Sequence, residues 1–216
     1  MRRAFATAII IGVLFYADAG AVCHAGIVKP EPPQDAQKIA DGGLAHSISS
    51  DPKLFPNLHP EDLSLIAPLP IYLTGKEKFA QGELLSSAKS AQWAYIVMHE
   101  GKAVGEVDLR TASEAGAPIK PPFVASVSNA STYANALLEA LHQAEQLSQV
   151  KKTDYEARIL GAPFISLHAL WLHGKTDDIL IPFFKTPRGI TAGQPYTEAD
   201  IIKLLNAAAQ AGSQPR

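Results

Sequence analysis

The chain has 216 residues, 47% of them hydrophobic and 19% charged, with a formal net charge of −2 and a single cysteine, Cys23. A mildly acidic chain with no basic stretch argues against a nucleic-acid partner. One cysteine excludes an intramolecular disulfide and any multi-cysteine zinc site, so the fold must rest on its apolar core.

The N-terminus reads as an export signal. Arg2 and Arg3 precede the apolar run "AFATAIIIGVLFY", which is shorter than the ~20 residues of a membrane span. Small-residue cleavage patterns follow at Ala17-Asp18-Ala19 and Ala19-Gly20-Ala21. The expectation is a signal peptide over residues 1–21, with cleavage as late as residue 25 as the alternative. Its removal takes Arg2, Arg3 and Asp18 and leaves a charge of about −3. "RRAF" resembles the core of a twin-arginine signal, although the n-region is short. Val22 before Cys23 argues against a lipoprotein. The mature protein is expected to be periplasmic or secreted, with no membrane span after cleavage.

Residues 22–68 read as a partly disordered linker. They are rich in Pro, Gly and Ser and show no sustained apolar period. "HPEDLSLI" offers a short helix with Pro60 at its first position. Residues 69–210 read as the globular domain, with 211–216 as a disordered tail. About 140 residues bury enough surface to fold alone.

Within the domain, a helix is expected around "EKFAQGELLSSAK". "WAYIVMH" (93–99) then alternates as a strand. Trp93, Tyr95, Val97 and His99 share one face and Ala94, Ile96 and Met98 the other. "EGK" turns the chain into "AVGEVDLR", where Val104, Glu106 and Asp108 share a face. "PFVASVS" is a third strand. A helix of about 20 residues follows, capped by Asn129 or Ser131. Its apolar stripe is Tyr133, Ala136, Leu137, Ala140, Leu141, Ala144 and Leu147. Asn129-Ala130-Ser131 also matches a glycosylation sequon, but capping accounts for the same residues.

"YEARIL", "FISLHALWLH" and "DILIPF" give three more strands, the last two joined by "GKTD". Pro182 places its strand at an edge or near its end. Thr197 and Asp200 open a C-terminal helix with a buried stripe of Ile201, Leu204, Leu205 and Ala208. The predicted fold is therefore α+β: a single, mainly antiparallel sheet of about six strands in βββ-α-βββ-α order, covered by the long central helix and the C-terminal helix. That order resembles the small helix-covered sheets of roadblock-like and profilin-like domains in element order alone; no motif carries a family assignment.

Candidate chemistry centres on "HALWLH". His168 and His173 are five residues apart, which puts them on opposite faces of a strand and about 140° apart on a helix. They do not share a metal without a break, and no HExxH motif exists. Trp171 reads as core, and His168 as a hydrogen-bonded core or groove residue. His99 and His173 each lead into a glycine-lysine turn and meet only if their hairpins lie side by side. His142 reads as surface; His46 and His59 fall in the linker. Glu106 with Asp108, and Glu156 with Arg158, read as the wet face of their strands. No serine elbow, phosphate loop or dinucleotide fingerprint is present.

The expectation is an exported, non-catalytic domain that binds a partner protein or small ligand in the cell envelope. No catalytic residue, metal ligand or cofactor is assigned, and oligomeric state is left open. Trp93 and Tyr95, as an exposed aromatic patch, and His168 are the candidate binding residues. The alternatives are an exported hydrolase pairing His168 with Glu106 or Asp108 on neighbouring strands, and a histidine metal-binding protein using His99 and His173.

Overall fold

The computed structural model describes residues 25–112 and 118–212. The stretch expected to be a signal peptide and Cys23 lie outside these residues, as do 213–216 of the expected tail.

Eight strands form one mixed sheet, not a six-stranded antiparallel one, and four helices cover it. The strands are β1 (Ile27–Val28), β2 (Ser64–Leu73), β3 (Lys89–His99), β4 (Lys102–Ala112), β5 (Pro118–Ser128), β6 (Tyr155–Ala162), β7 (Leu167–His173) and β8 (Asp178–Phe184). The helices are α1 (Ala36–Ser50), α2 (Lys76–Ala80), α3 (Ser131–Gln146) and α4 (Glu198–Gly212). The strand order is β5-β4-β3-β2-β6-β7-β8. Strands β2 to β5 form an antiparallel meander. Helix α3 then carries the chain to β6, which lies parallel to β2, and β6 to β8 form a second antiparallel meander. β1 pairs with the start of β6, also in parallel.

The parallel pairing corrects the predicted fold class, and it arises from β2. "LSLIAPLPIYL" carries Pro68 and Pro70, which remove ladder donors and argue against a strand. The prolines are tolerated where pairing is loose. The β2–β3 register shifts between Ile66 and Leu69, and β6 engages β2 only from Ile71 to Leu73.

The second correction is α1, which forms inside the stretch expected to be a linker. Its buried stripe is Ala36, Ala40, Leu44 and Ile48, mostly small side chains at fourfold spacing. A Cβ at Gly43 would overlap Val124 of β5, so glycine is what lets the helix lie close on the sheet. The Gly and Ala content that suggests a linker is here a packing device.

The sheet therefore has two covered faces. On the front, α3 buries Ala134, Leu137, Ala140, Leu141 and Ala144 against Ile71, Ala94, Ile96, Ile159, Leu170 and Ile181. On the back, α1 covers Trp93, Tyr95, Val97, Val107 and Leu109. Beside it, α4 and the β2–β3 connection cover Leu160, Ala169, Trp171 and Leu180. β7 is buried on both sides, as its unbroken apolar run requires.

Local signals account for several boundaries. Glu100 and Gly101 both take positive φ, which matches the twist of the β3–β4 hairpin. Gly174 donates to the Asp177 carbonyl at 3.0 Å across the β7–β8 turn. The Asp200 amide donates to Thr197 Oγ1 at 3.2 Å, and Thr197 N donates back to Asp200 Oδ2 at 3.1 Å, a reciprocal cap on α4. The side-chain cap expected on α3 is absent: its N-cap is Ala130, with no side-chain hydrogen bond, and it ends at Gln146 after 16 residues. α2 is a single short turn within the longer helix expected there. No described helix is long and apolar enough to cross a membrane.

Candidate functional site

β2 and β6 meet over only three register pairs, Ile71–Ile159, Tyr72–Leu160 and Leu73–Gly161. At this junction the chain leaves in opposite directions, to β3–β5 on one side and to β7–β8 on the other. Open sheets with parallel pairs bind ligands at such a divergence, beyond the carboxyl ends of the strands. A cavity of about 390 Å³ lies there on the front face.

Its floor is apolar. Ile71 and Leu73 come from β2, Ile159 and Gly161 from β6. Gly161 keeps the floor open, because a Cβ there would sit 2.9 Å from Leu73 Cδ2. Leu73 remains 39% exposed, a large apolar side chain left partly bare at the cavity.

One wall is acidic. Glu106 and Asp108 lie two residues apart on β4, so both point to the front face. Ser128 Oγ donates to Glu106 Oε1 at 3.4 Å and Ser126 Oγ to Asp108 Oδ2 at 2.9 Å, both from the paired strand β5. Burial first, and then the charge of Asp108, raises the Glu106 carboxyl to about 7. Burial also raises Asp108, partly offset by its Ser126 bond. No described lysine or arginine pairs with either carboxyl.

The opposite wall carries His168 of β7, Phe184 of β8 and Lys185. A register shift between His168 and Ala169 bulges β8, so that Phe183 and Phe184 both reach Tyr133. Their rings stand 5.1 Å from the Tyr133 ring. Tyr133 sits in the first turn of α3 and meets the His168 ring edge-on at 5.6 Å. His168 is half-buried and makes no hydrogen bond to a described residue. Desolvation, then the charge of Lys185, lowers its basicity and keeps the imidazole neutral. Lys185 is exposed, has φ of 46°, and lies over the Phe184 ring at 5.2 Å. A non-glycine residue in the left-handed region beside a cavity is a feature of built sites.

The other sequence candidates lie elsewhere. Trp93 and Tyr95 are 8% and 0% exposed beneath α1, so they form no surface patch. The physical reason is the helix that the linker expectation left out. The Tyr95 hydroxyl is buried without a partner, and desolvation with the charge of Asp41 pushes it up to about 12. His99 Nδ1 donates to the Asp62 carbonyl, 3.1 Å away, and His173 pairs with Asp178 at 2.7 Å. β2 and β6 separate their strands, so the two histidines do not meet. Among the described residues no group of three His, Cys, Asp or Glu side chains is placed to hold a metal.

On the back face, Arg158 lies 4.8 Å from both the Tyr72 and Trp171 rings and donates to Glu156 at 2.8 Å. Trp171 Nε1 donates to Asp178 Oδ1 at 2.7 Å. Each of these hydrogen bonds ends on a carboxylate of the same face. A larger groove of about 470 Å³ lies between the start of α1 and β5, lined by Pro33, Pro118, Pro121 and Pro122. Asp35 and Lys120 also line it, but it brings together neither a histidine nor a pair of carboxyls as the β2–β6 cavity does.

Sequence reasoning placed Glu106 and Asp108 on one strand face, preferred to read that face as wet, and paired them with His168 only in the hydrolase alternative. It did not find Tyr133 or Lys185 as site residues. Tyr133 was legible only as the first member of the α3 stripe, and Lys185 has no local signature. No family model matches this chain, and neither a curated protein nor a solved structure does.

Proposed function

We propose that this chain is an exported domain, periplasmic or secreted, that binds a small ligand in the β2–β6 cavity. Residues 1–21 act as its signal peptide. The observation that carries the reading is the cavity itself: an apolar floor between an acidic wall and a wall bearing His168 and Lys185. About 390 Å³ falls within the range of small-molecule sites. Convergent polar groups with displaced titration in a cleft mark functional sites more often than structural ones. A small ligand is favoured over a partner protein because the aromatic residues proposed for docking are buried.

Methyl NMR tests this directly. A library of polar fragments is expected to shift the methyls of Ile71, Leu73 and Ile159 together while those of the α1 core stay fixed. Shifts scattered over the surface, or none at the cavity, would remove the reading.

A second reading is catalytic. His168, Glu106, Asp108 and Tyr133 share one cavity, and a neutral imidazole opposite a carboxyl near 7 supplies a base and an acid at neutral pH. An exported hydrolase centred on His168 would turn over ester or amide substrates and lose that turnover in His168→Gln. Turnover unaffected by His168→Gln would discard it.

A further inference from the structure

We infer that the cavity ligand is a short peptide with free termini, its ammonium end against Glu106 and Asp108 and its carboxylate end against Lys185. The inference rests on the ligand-binding reading of the cavity and narrows it to one chemical class.

The acidic wall calls for a cation with several hydrogen-bond donors. Each carboxylate takes one bond, from Ser128 or Ser126, and both retain acceptor capacity facing the cavity. A primary ammonium has three donors and fits between two carboxyls two residues apart. The protein supplies no cation of its own there among the described residues.

The opposite wall calls for an anion. Lys185 has no described carboxylate within ion-pair distance, and its ammonium stays beside the mouth over Phe184. His168 has an unfilled ring nitrogen to offer as donor, and it stays neutral, so it adds direction without adding charge.

The spacing sets the length. The acidic wall is on β4 and Lys185 follows β8, five strand intervals away, ~24 Å at ~4.8 Å each; the Glu106 and Lys185 side chains reaching inward take up ~11 Å and a hydrogen bond at each end ~6 Å in all, which leaves roughly 7 Å. A single amino acid, with its charges ~3 Å apart, does not bridge that gap, whereas a dipeptide does at ~3.3–3.6 Å per residue. The floor between the walls is Ile71, Leu73 and Ile159, suited to apolar side chains, and Gln92 offers an amide to the peptide bond.

Calorimetry on the full mature protein with four probes tests the assignment: alanyl-leucine, its C-terminal amide, its N-acetyl form and free leucine. The expected result is that alanyl-leucine binds about tenfold or more tightly than each of the other three, each terminal contact being charge-assisted. Glu106→Gln together with Asp108→Asn should then abolish the difference between the free and acetylated amine, and Lys185→Met that between acid and amide. Equal binding of the blocked forms, leucine binding as well as the dipeptide, or no binding of any probe would each overturn the assignment. Fragment shifts at Ile71, Leu73 and Ile159 with no peptide binding would sink the peptide and leave the cavity reading standing. Their absence would sink both.

Discussion

The two histidines of "FISLHALWLHG" sit on one strand, five residues apart, in opposite chemical states. His173 faces the back of the sheet, where Asp178 Oδ1 binds it at 2.7 Å and also accepts the Trp171 indole at 2.7 Å. His173 Nδ1 and Trp171 Nε1 both end on Asp178 Oδ1, and the cluster ties β7 to β8. His168 faces the front, has no hydrogen bond to a described residue, and looks into a cavity against two carboxyls and a lysine. Saturated polar groups hold a fold together, whereas unsatisfied ones beside a cavity are available to a ligand. The same strand thus supplies a structural histidine and a binding one, and the face decides which.

Substitutions sharpen that contrast, beginning with the back face. Trp171→Ala should cost about 3–5 kcal/mol in a urea melt, because it empties core between Tyr72, Arg158 and Leu180. A loss under 1 kcal/mol would mean the cluster is not structural. Asp178→Ala should cost about 1–3 kcal/mol by leaving the buried Trp171 N–H unpaired. Asp178→Asn, which still accepts, should recover part of it.

On the front face the sign reverses. Glu106 titrates near 7 in the fold and at the ordinary 4.5 unfolded, so it binds more protons folded than unfolded between those values. Its contribution is fully present below pH 4.5 and is lost as pH rises through 7. Asp108, also raised, acts in the same direction, whereas His168, lowered, withdraws stability as pH falls through its folded value. Glu106→Gln should therefore stabilise the ligand-free protein at pH 8 by about 1–2 kcal/mol and have little effect at pH 4.5. Destabilisation at pH 8 would show that an unseen partner already satisfies the carboxylate. His168→Ala should have the smallest effect, within about 1 kcal/mol in thermal denaturation. A loss of several kcal/mol would return His168 to the core.

Ligand binding that uses the Glu106 carboxylate should strengthen from pH 6 to pH 8, since only the ionised form attracts an ammonium. Burial that raises Asp108 favours its protonated form and so acts on the same contact in the same direction, burial disfavours the His168 cation, and Tyr133 is raised too far to titrate there. Isotherms at three pH values check the slope, and an affinity independent of pH would separate Glu106 from the ligand.

Much of the fold was legible where a period repeats. The alternation of β3, the α3 stripe and the reciprocal cap of α4 are local patterns, and each formed where the residues indicate, whereas a register shift turns Val104 of β4 to the face opposite Glu106 and Asp108. Two elements were not legible. α1 hides in Gly- and Ala-rich sequence because close packing on Val124 demands small residues, and small residues carry little hydrophobic period. β2 hides behind prolines that its loose pairing tolerates. Missing α1 made Trp93 and Tyr95 look available for binding. Missing β2 removed the parallel junction and made an all-antiparallel sheet the natural expectation.

For the site, the sequence by itself determined which residues share a face. Period two puts Glu106 with Asp108, and odd spacing separates His168 from His173. Which face is wet, which is covered, and which strands stand opposite were decided only by tertiary structure. Strand order depends on the α3 crossover and on three register pairs between segments some 90 residues apart in the chain. No local pattern encodes such a pairing, because its energy comes from burying both meanders under shared helices. The cavity exists because those two meanders meet so briefly.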